Sequence, residues 1–229
     1  MKFSKIPIAT ITRLSHYSRA LEELEEQGLK VISSEKLAQY CEINSAQIRK
    51  DLAYFGEFGV RSVGYGVKEL LFEIKKILGL NKIWHLGIIG MGNLGYALIS
   101  HHNFSRQGYH FVAAFDIDPL KVGKMLPQGF PISLMADLGK IALERDIEIA
   151  VITTPAGKAQ DVANLVIETP IRGILNFSPA HLHLPDGFVV HHIDFTVKLD
   201  QLAYRLVNLN PESSQPSTIK TSQISKNSL

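Results

Sequence analysis

Apolar residues near the N-terminus recur every three to four positions, which is the spacing of an amphipathic helix. The repeat predicts a helix over residues 12–27, and Gly28 supplies its end. Basic residues lie on this helix up to Arg19, and glutamates follow between Glu22 and Glu26. Since this order is the reverse of what suits a helix dipole, the basic end either faces an anion or is an ordinary solvated surface. The apolar face is expected to consist of Leu14, Tyr17, Leu21 and Leu24.

Two shorter helices follow the first. Ser33 or Ser34 can cap one of them, and Asn44 with Gln47 resembles a capping box at the start of the other. The turn between them, 41–44, has four residues. This is the pattern of a helix-turn-helix, which also occurs in unrelated helical bundles.

The segment after the third helix has the pattern of a wing. Gly56 ends that helix, and residues 58–66 alternate apolar and small side chains around glycines, which predicts a short β-hairpin. A fourth helix over residues 67–78 leads into the rest of the chain. Residues 1–80 are therefore expected to form a winged helix-turn-helix domain.

From Lys82 onward, strands alternate with helices, which predicts an α/β domain over residues 81–209 with a doubly wound parallel sheet of the Rossmann type. A final helix over 196–209 carries more apolar surface than a solvent-facing helix needs. Residues 210–229 are rich in Ser, Thr, Gln and Pro, which predicts a disordered tail. The predicted strands cover residues 83–90, 111–118, 147–155, 171–179 and 187–194, with a further short strand at 131–135.

Composition narrows the class of protein. The chain has 229 residues, 45% of them hydrophobic, so it can bury a substantial core. No apolar run reaches the roughly 18 residues of a membrane span, and no continuous signal-peptide core is present, which predicts a cytoplasmic protein. Cys41 is the single cysteine, which excludes an intrachain disulfide and argues against a zinc cluster. The net charge of +2 does not by itself indicate nucleic acid.

A glycine-rich motif follows the first strand of the sheet. Gly90 permits a tight turn, Gly92 lets the backbone approach a pyrophosphate, and Gly95 allows close packing of helix on strand. The phosphates would lie at a helix N-terminus, where free N–H groups favour negative charge. The alternative is a tight turn in a fold that has lost its ligand. The motif consists of Gly90, Met91, Gly92, Asn93, Leu94 and Gly95.

Asp116 lies 21 residues after Gly95, where a carboxylate is expected to hydrogen-bond the ribose hydroxyls. No arginine stands beside it to accept a 2′-phosphate, so the sequence favours NAD+ and NADH over NADP. Thr153, Thr154, Pro155 and Asn176 follow later strands at the edge where such sheets bind ligands. They either contact the nicotinamide half or are ordinary turn residues.

The sequence offers no catalytic residue. Four histidines in the later part of the chain, His181, His183, His191 and His192, titrate in the range that a dehydrogenase acid or base would need. None stands in a recognisable catalytic motif, and their spacing does not match a metal site. A dehydrogenase would also need a substrate domain, whose place the helix-turn-helix occupies.

Much of the chain resembles the Rex family of redox-sensing repressors. The RKDxxYFG pattern of residues 49–56 is especially specific for this family. The resemblance covers about residues 5–209 and is carried by residues 5–7, 13–14, 17–19, 47–56, 64–65, 90–95, 115–116, 173–177 and 194–195. It implies a homodimeric transcriptional repressor, not an enzyme, that binds operator DNA when NAD+ prevails and releases it when NADH rises.

The residues agree with that implication. The second helix of a helix-turn-helix enters the major groove, and here it carries Gln47, Arg49 and Lys50, which can bond base edges. The alternative for Arg49 is a surface ion pair with Glu42 or Glu57. A two-fold dimer predicts a palindromic operator. The full set of predicted DNA contacts is Arg13, Arg19, Ser45, Gln47, Arg49, Lys50, Arg61, Gly64 and Tyr65.

For the switch, the resemblance implies that the final helix is exchanged between subunits. It also implies that Phe195 approaches the partner's nicotinamide pocket and that Asp194 is a polar part of the switch. Many relatives have a tyrosine where this chain has His101, which puts any tyrosine-dependent step in doubt and could add pH dependence. The competing interpretations are an NAD-dependent oxidoreductase with an accessory helical domain and a DNA-binding module with a vestigial nucleotide fold.

Overall fold

The computed structural model describes residues 6–60 and 63–209. They divide into two compact units. One contains the described residues up to Leu86 together with Leu98–Val112, and the other contains Gly87–Ala97 and the described residues from Ala113 onward. The predicted boundary between residues 80 and 81 stays a prediction.

The first unit begins with four helices and two short strands. The predicted four-residue turn, 41–44, separates the two helices of the helix-turn-helix and is confirmed. The elements are α1 (Ile8–Glu26), β1 (Val31–Ile32), α2 (Ser34–Tyr40), α3 (Ser45–Ala53), β2 (Tyr65–Gly66) and α4 (Val67–Ile77). The predicted apolar face of α1 is confirmed, since its four residues are at most 1% exposed and join one hydrophobic core with α2, α3 and α4.

Helix α1 begins one turn earlier than the apolar repeat predicts. Its first residue is Ile8, and Pro7 occupies the N-cap position. Ile8 is 75% exposed, so the first turn contributes little to the apolar periodicity from which the start was predicted. The helix ends at Glu26, and Gly28 follows with a positive φ of 80°.

The wing keeps one bridge of the predicted hairpin and also pairs with β1, which was not predicted. Val60 and Gly64 form an isolated antiparallel bridge, whereas Tyr65 pairs with Ile32 of β1. One bridge therefore joins the two halves of the segment 58–66, and the two-residue ladder joins the wing to the residues just before α2. Gly64 permits this approach, because its φ is 110° and a Cβ there would lie 2.5 Å from the Ile32 carbonyl oxygen.

Beyond α4 the chain forms the predicted α/β architecture. A six-stranded sheet has the order β5-β4-β3-β6-β7-β8, and the pairs β4–β5, β6–β7 and β7–β8 are parallel. The predicted strands 147–155 and 171–179 are too long, because β6 and β7 end at Ile152 and Asn176 and turns follow. The elements are β3 (Trp84–Ile89), α5 (Asn93–Ile99), α6 (Asn103–Arg106), β4 (Tyr109–Asp116), β5 (Ile132–Leu134), a 3-10 helix (Met135–Asp137), α7 (Leu138–Glu144), β6 (Ile149–Ile152), α8 (Ala156–Ile167), β7 (Gly173–Asn176), β8 (Val189–His192) and α9 (Phe195–Leu209).

The final helix, α9, buries none of its residues. The sequence predicts its extent almost completely, since it begins one residue before the predicted start and ends at the predicted Leu209. One stripe along it recurs at alternating steps of four and three residues and consists of Phe195, Leu199, Leu202, Leu206 and Leu209, each more than half exposed. The predicted tail 210–229 lies outside the described residues.

Candidate functional site

Helix α3 presents the residues predicted to contact DNA. The Asn44 side chain caps this helix by accepting a hydrogen bond from the Ala46 N–H at 2.7 Å. Arg49 and Lys50 are exposed, and Ser45 is half-buried. The cap leaves the start of the helix and its two basic side chains available to a ligand outside the protein.

A buried carboxylate lies beneath this helix. Asp51 of α3 is fully buried and accepts hydrogen bonds from four side chains, three of them on α1. The bonds come from Arg13 Nε (2.6 Å) and Nη2 (2.7 Å), Tyr17 Oη (2.8 Å), Gln47 Nε2 (2.9 Å) and Thr10 Oγ1 (3.0 Å). Asp51 therefore joins α3 to α1.

The bonds keep Asp51 ionised. Burial alone would raise its pKa, but the hydrogen bonds from Arg13, Tyr17, Gln47 and Thr10 outweigh burial and lower the pKa to about 2. For Tyr17, burial and the bond to Asp51 raise the pKa of the phenol. At neutral pH the pair is thus a neutral phenol donating to a carboxylate.

Two predicted DNA contacts take part in this network. Arg13 makes a two-pronged ion pair with Asp51, and the Gln47 amide donates to the same carboxylate. The predicted capping box is wrong in its second half, because Gln47 turns toward Asp51 instead of back to the Asn44 N–H. Their roles as DNA contacts stay predictions, as does that of the exposed Arg19.

Arg49 has an internal partner, although a different one from those predicted. Its Nη1 lies 3.0 Å from Glu35 Oε1 and donates to Ser34 Oγ at 2.7 Å. The alternative partners Glu42 and Glu57 are not the ones that pair with Arg49, because the helix-turn-helix brings the start of α2 beside the middle of α3. Both members of the pair are more than half exposed, so the interaction is readily exchanged for another anion.

The wing residues have mixed exposure. Tyr65 is 8% exposed and belongs to the core of the first unit, whereas Gly64 is half-buried. Arg61 lies outside the described residues. A groove of about 600 Å³ runs between the wing and the helix-turn-helix and is lined by Ser34, Glu35, Arg49, Val60, Gly64 and Tyr65 among others.

The glycine-rich loop has the geometry that the motif predicts. Gly90 has a φ of 98°, and a Cβ there would lie 2.8 Å from Thr154 Cγ2. A Cβ on Gly95 would collide with the Gly90 carbonyl oxygen, whereas Gly92 faces open space. Gly90 thus fits the turn and Gly95 the close packing of α5, while Gly92 leaves room for a ligand.

Asp116 holds this loop from the end of β4. Its Oδ2 accepts the Met91 N–H at 2.7 Å and lies 3.0 Å from Lys121 Nζ, and its Oδ1 accepts the Asp118 N–H at 2.9 Å. Burial would raise the pKa of Asp116, but these bonds outweigh it and lower the pKa. Asp116 as a whole residue is 6% exposed. Lys121, which sequence reasoning missed, lies five residues beyond the end of the strand.

The loop and Asp116 line a cleft of about 790 Å³ at the carboxyl ends of the strands. Thr153 Oγ1 donates to the carbonyl oxygens of Ile89 and Gly90, which ties β6 to the loop. The Thr154 hydroxyl is buried without a partner among the described residues. The predicted residues lining the cleft are Gly90, Gly92, Asn93, Leu94, Asp116, Thr153, Thr154 and Pro155.

The remaining predicted residues lie around the ends of β7 and β8. Asn176 is fully buried. Its Oδ1 accepts a hydrogen bond from the Ser178 N–H, and its Nδ2 donates to the Ala180 carbonyl oxygen and lies 3.0 Å from His192 Nδ1. Asp194 Oδ1 accepts from the Thr196 N–H and hydroxyl, and so caps α9. The Phe195 ring is exposed, with its centroid 6.2 Å from that of Phe177.

The other predicted switch residue, His101, belongs to the first unit. It is exposed, and its Nδ1 accepts the Asn103 N–H at 3.3 Å. The roles of Asp194, Phe195 and His101 in a switch stay predictions.

The histidines form no metal cluster. The rings of His181 and His192 lie with their centroids 5.3 Å apart and their planes inclined by 57°. Burial, and then the neighbouring His181 and His191, lower the pKa of His192. Among the described residues, no group of three or more His, Cys, Asp or Glu side chains could hold a metal ion. Within the same residues, no helix is both long and apolar enough to cross a membrane.

Comparison with known proteins finds relatives that are similar over most of the chain. Residues 5–53 match the family described as "Putative DNA-binding protein N-terminus", and residues 81–180 match the family described as "CoA binding domain". A redox-sensing transcriptional repressor Rex from Syntrophobacter fumaroxidans is 57% identical over 206 residues, which cover 90% of this chain and 98% of the relative.

Two solved structures of a protein named RSP are also similar over nearly the whole chain. One, in complex with β-NAD+ and operator DNA, has a TM-score of 0.84 at 33% identity and covers 91% of this chain and 95% of its own. The other, in complex with β-NADH, has a TM-score of 0.82 at 32% identity and covers 91% and 98%.

Proposed function

The chain belongs to the Rex family of redox-sensing transcriptional repressors, and from that premise we propose how its residues perform this function. The protein binds operator DNA and responds to the balance of NADH and NAD+. The observation that carries this proposal is that one chain holds an exposed basic recognition helix and a glycine-rich loop with an ionised carboxylate behind it. The function is regulation, so no catalytic residue is required.

DNA reading is assigned to helix α3. Arg49 and Lys50 are exposed and can reach guanine O6 and N7, while Ser45 lies at the start of the helix. The wing, with Arg61 and Gly64, and the basic stretch of α1 would contact the backbone, which positions the protein without reading sequence. Because phosphate contacts release counterions, the affinity falls as salt rises.

The cleft of the α/β unit is assigned to NAD+ and NADH. The open face of Gly92 admits the pyrophosphate at the N-terminus of α5, and Asp116 lies where the adenosine ribose binds. Thr153, Thr154 and Pro155 line the other part of the cleft, toward the nicotinamide. The unpartnered Thr154 hydroxyl offers a hydrogen bond to that half of the cofactor.

The switch is assigned to α9 and the residues before it. Exchange of α9 between two subunits of a homodimer would bury its exposed apolar stripe. NADH differs from NAD+ by a hydride that removes the positive charge of the nicotinamide ring, and the carboxylate of Asp194 could sense that change. Phe195 is exposed and would enter the partner's pocket. A dimer with two-fold symmetry is expected to bind a palindromic operator, because each subunit then contacts one half-site.

We place the protein in the cytoplasm, where bacterial DNA and the NAD(H) pool are both found. The support for this is functional, since a repressor of this kind must meet its operator and its nucleotides in the same compartment.

The experiment that tests the function is DNA binding at a fixed total of NAD+ plus NADH while their ratio varies. An allosteric coupling of about 1–3 kcal/mol lowers the DNA affinity roughly 5- to 150-fold as NADH replaces NAD+. Gly95→Ala should lose this response, because its Cβ meets the Gly90 carbonyl and disturbs the loop. Lys50→Ala should weaken DNA binding and leave NADH binding unchanged.

Two outcomes would contradict the proposal. DNA affinity that does not change with the nucleotide ratio would leave a plain DNA-binding module, and absence of NADH binding would show that the cleft is vestigial. Hydride transfer to a small substrate would instead support the competing oxidoreductase interpretation.

A further inference from the structure

Three charged side chains surround the adenosine end of the nucleotide cleft. Lys121 Nζ lies 3.0 Å from Asp116 Oδ2 and 3.9 Å from Asp118 Oδ2. All three residues line the cleft, with side-chain exposures of 31% for Lys121, 7% for Asp116 and 38% for Asp118. Two carboxylates and one ammonium leave a net charge of minus one at the place where the ribose of a dinucleotide binds.

Asp116 has little capacity left for a ligand. An ionised carboxylate has about four acceptor positions. Three of them are taken by the Met91 N–H, the Asp118 N–H and Lys121. A ribose presents two hydroxyl groups at this end, so Asp116 can accept from one of them and the other needs a different partner. Lys121 is the adjacent donor with solvent-accessible surface.

We propose that Lys121 sets the discrimination between dinucleotides with and without a 2′-phosphate. This inference rests on the proposed binding of NAD+ and NADH in the cleft. The phosphate brings roughly two negative charges to the ribose. Asp116 and Asp118 repel the phosphate, and Lys121 attracts it. The lysine therefore weakens the net electrostatic repulsion that the two carboxylates alone would exert on the 2′-phosphate. The site therefore rejects NADPH only moderately.

The charge count gives opposite expectations for two substitutions. Lys121→Met keeps the aliphatic length but leaves two uncompensated carboxylates, so NADPH should bind still more weakly relative to NADH. Asp118→Asn keeps the shape and leaves a net charge of zero, so NADPH should gain relative to NADH. Lys124→Met is the matched control, because Lys124 is exposed and lies outside the lining of the cleft.

The test is titration of the full chain with NADH and with NADPH, followed by the fluorescence of the bound nucleotide or by calorimetry. The readout is the dissociation constant for NADPH divided by the dissociation constant for NADH. One charge acting on a doubly charged phosphate about 6 Å away through a water-like medium corresponds to a change of about tenfold. We expect this ratio to rise about tenfold in Lys121→Met, to fall by a similar factor in Asp118→Asn and to stay constant in Lys124→Met.

Salt dependence distinguishes charge from shape. Because the effect is electrostatic and partly exposed, the differences between variants should shrink as ionic strength rises. A ratio that does not move in Lys121→Met, or that moves equally in Lys124→Met, would overturn the inference while leaving NADH binding intact. If Lys121→Met bound neither nucleotide, Asp118→Asn would test the inference in its place. An unchanged ratio in Asp118→Asn would refute the idea that the net charge of this cluster sets the discrimination. Failure of the unsubstituted chain to bind NADH would refute the proposed function and the inference with it.

Discussion

At the scale of single residues, Asp51 connects fold and function. Its carboxylate is inaccessible to solvent and is satisfied by side chains that lie between 34 and 41 positions earlier in the chain, together with Gln47 of its own helix. A buried ion pair is a weak source of net stability, but removing one partner leaves the other charge unpaired. The network therefore defines how α3 is held on α1 more than it adds to the stability of the fold.

We predict that Asp51→Ala lowers the free energy of unfolding by about 3–5 kcal/mol, the usual cost of breaking a buried pair. Urea denaturation measures this, and Thr12→Ala, an exposed change on α1, the helix that Asp51 contacts, is the control. A loss below about 1 kcal/mol would show that the carboxylate is dispensable.

The same carboxylate predicts a pH dependence. Its pKa is lowered from 3.8 to about 2 in the folded state, so its contribution is fully present above the unfolded value and is lost as the pH falls through the folded one. Stability should therefore decline between about pH 4 and pH 2. In Asp51→Asn this part of the decline should be absent, which urea titrations at several pH values would show. An identical decline in that variant would assign the effect to other groups.

Glu35 competes with DNA for Arg49. The arginine must leave Glu35 Oε1 to reach a base or phosphate, and an exposed pair of this kind is weak. We predict that Glu35→Gln raises operator affinity about two- to fivefold in a fluorescence anisotropy titration. Glu57→Gln removes the same charge from the groove beside the wing without touching the ion pair, so it controls for general electrostatics. Equal gains in the two variants would contradict a specific competition.

At the scale of elements, the sequence predicts best where the hydrophobic pattern is strongly periodic. The first four helices of the chain and the order of the later strands and helices follow from local patterns alone. The glycine loop was also predictable, because its residues are contiguous. Asp51 and Lys121 were not predicted as interacting groups, since their roles depend on partners that only the folded chain brings together.

The wing shows where local pattern fails. Alternation over residues 58–66 predicts strand but does not say with what the strand pairs, and the partner is β1, more than thirty positions earlier. The evidence for that pairing in the sequence is a single glycine. Gly64 has to be small because β1 approaches its Cα directly.

We predict that Gly64→Ala destabilises the first unit by about 1–3 kcal/mol more than Gly56→Ala does. Both glycines have a positive φ, 110° and 140°, so both substitutions strain the backbone. A Cβ at Gly64 also meets the Ile32 carbonyl, whereas one at Gly56 meets no atom within 4 Å. Thermal unfolding of the two variants isolates the cost of that contact, and equal losses would mean that β1 adjusts without cost.

At the scale of the whole molecule, the proposed nucleotide cleft is where the redox signal would enter. The single cysteine cannot form an intrachain disulfide, and burial raises the pKa of the Cys41 thiol to about 11. At neutral pH the thiol is therefore protonated and a poor nucleophile. Dithiol chemistry is thus excluded within one chain, and a bound dinucleotide remains as the redox-active partner.

The exposed apolar stripe on α9 predicts how the chain assembles. Residues Leu199 and Leu202 lie in its centre and are 61% and 52% exposed, which is costly for a helix that faces only water. If α9 is exchanged in a homodimer, the double substitution Leu199→Asp with Leu202→Asp places two charges in the interface and should give a monomer. Sedimentation equilibrium measures this. Binding to a palindromic duplex should fall with it, because each half-site then binds separately.

Gln201→Asp is the control, since it adds one such charge to an exposed polar position outside the stripe. This variant should remain a dimer with unchanged operator affinity. A dimer that survives both leucine substitutions would refute exchange through the stripe. A monomer that still bound the full operator as tightly as the dimer would refute the link between α9 and DNA recognition, because two-fold reading of a palindrome requires two chains held together.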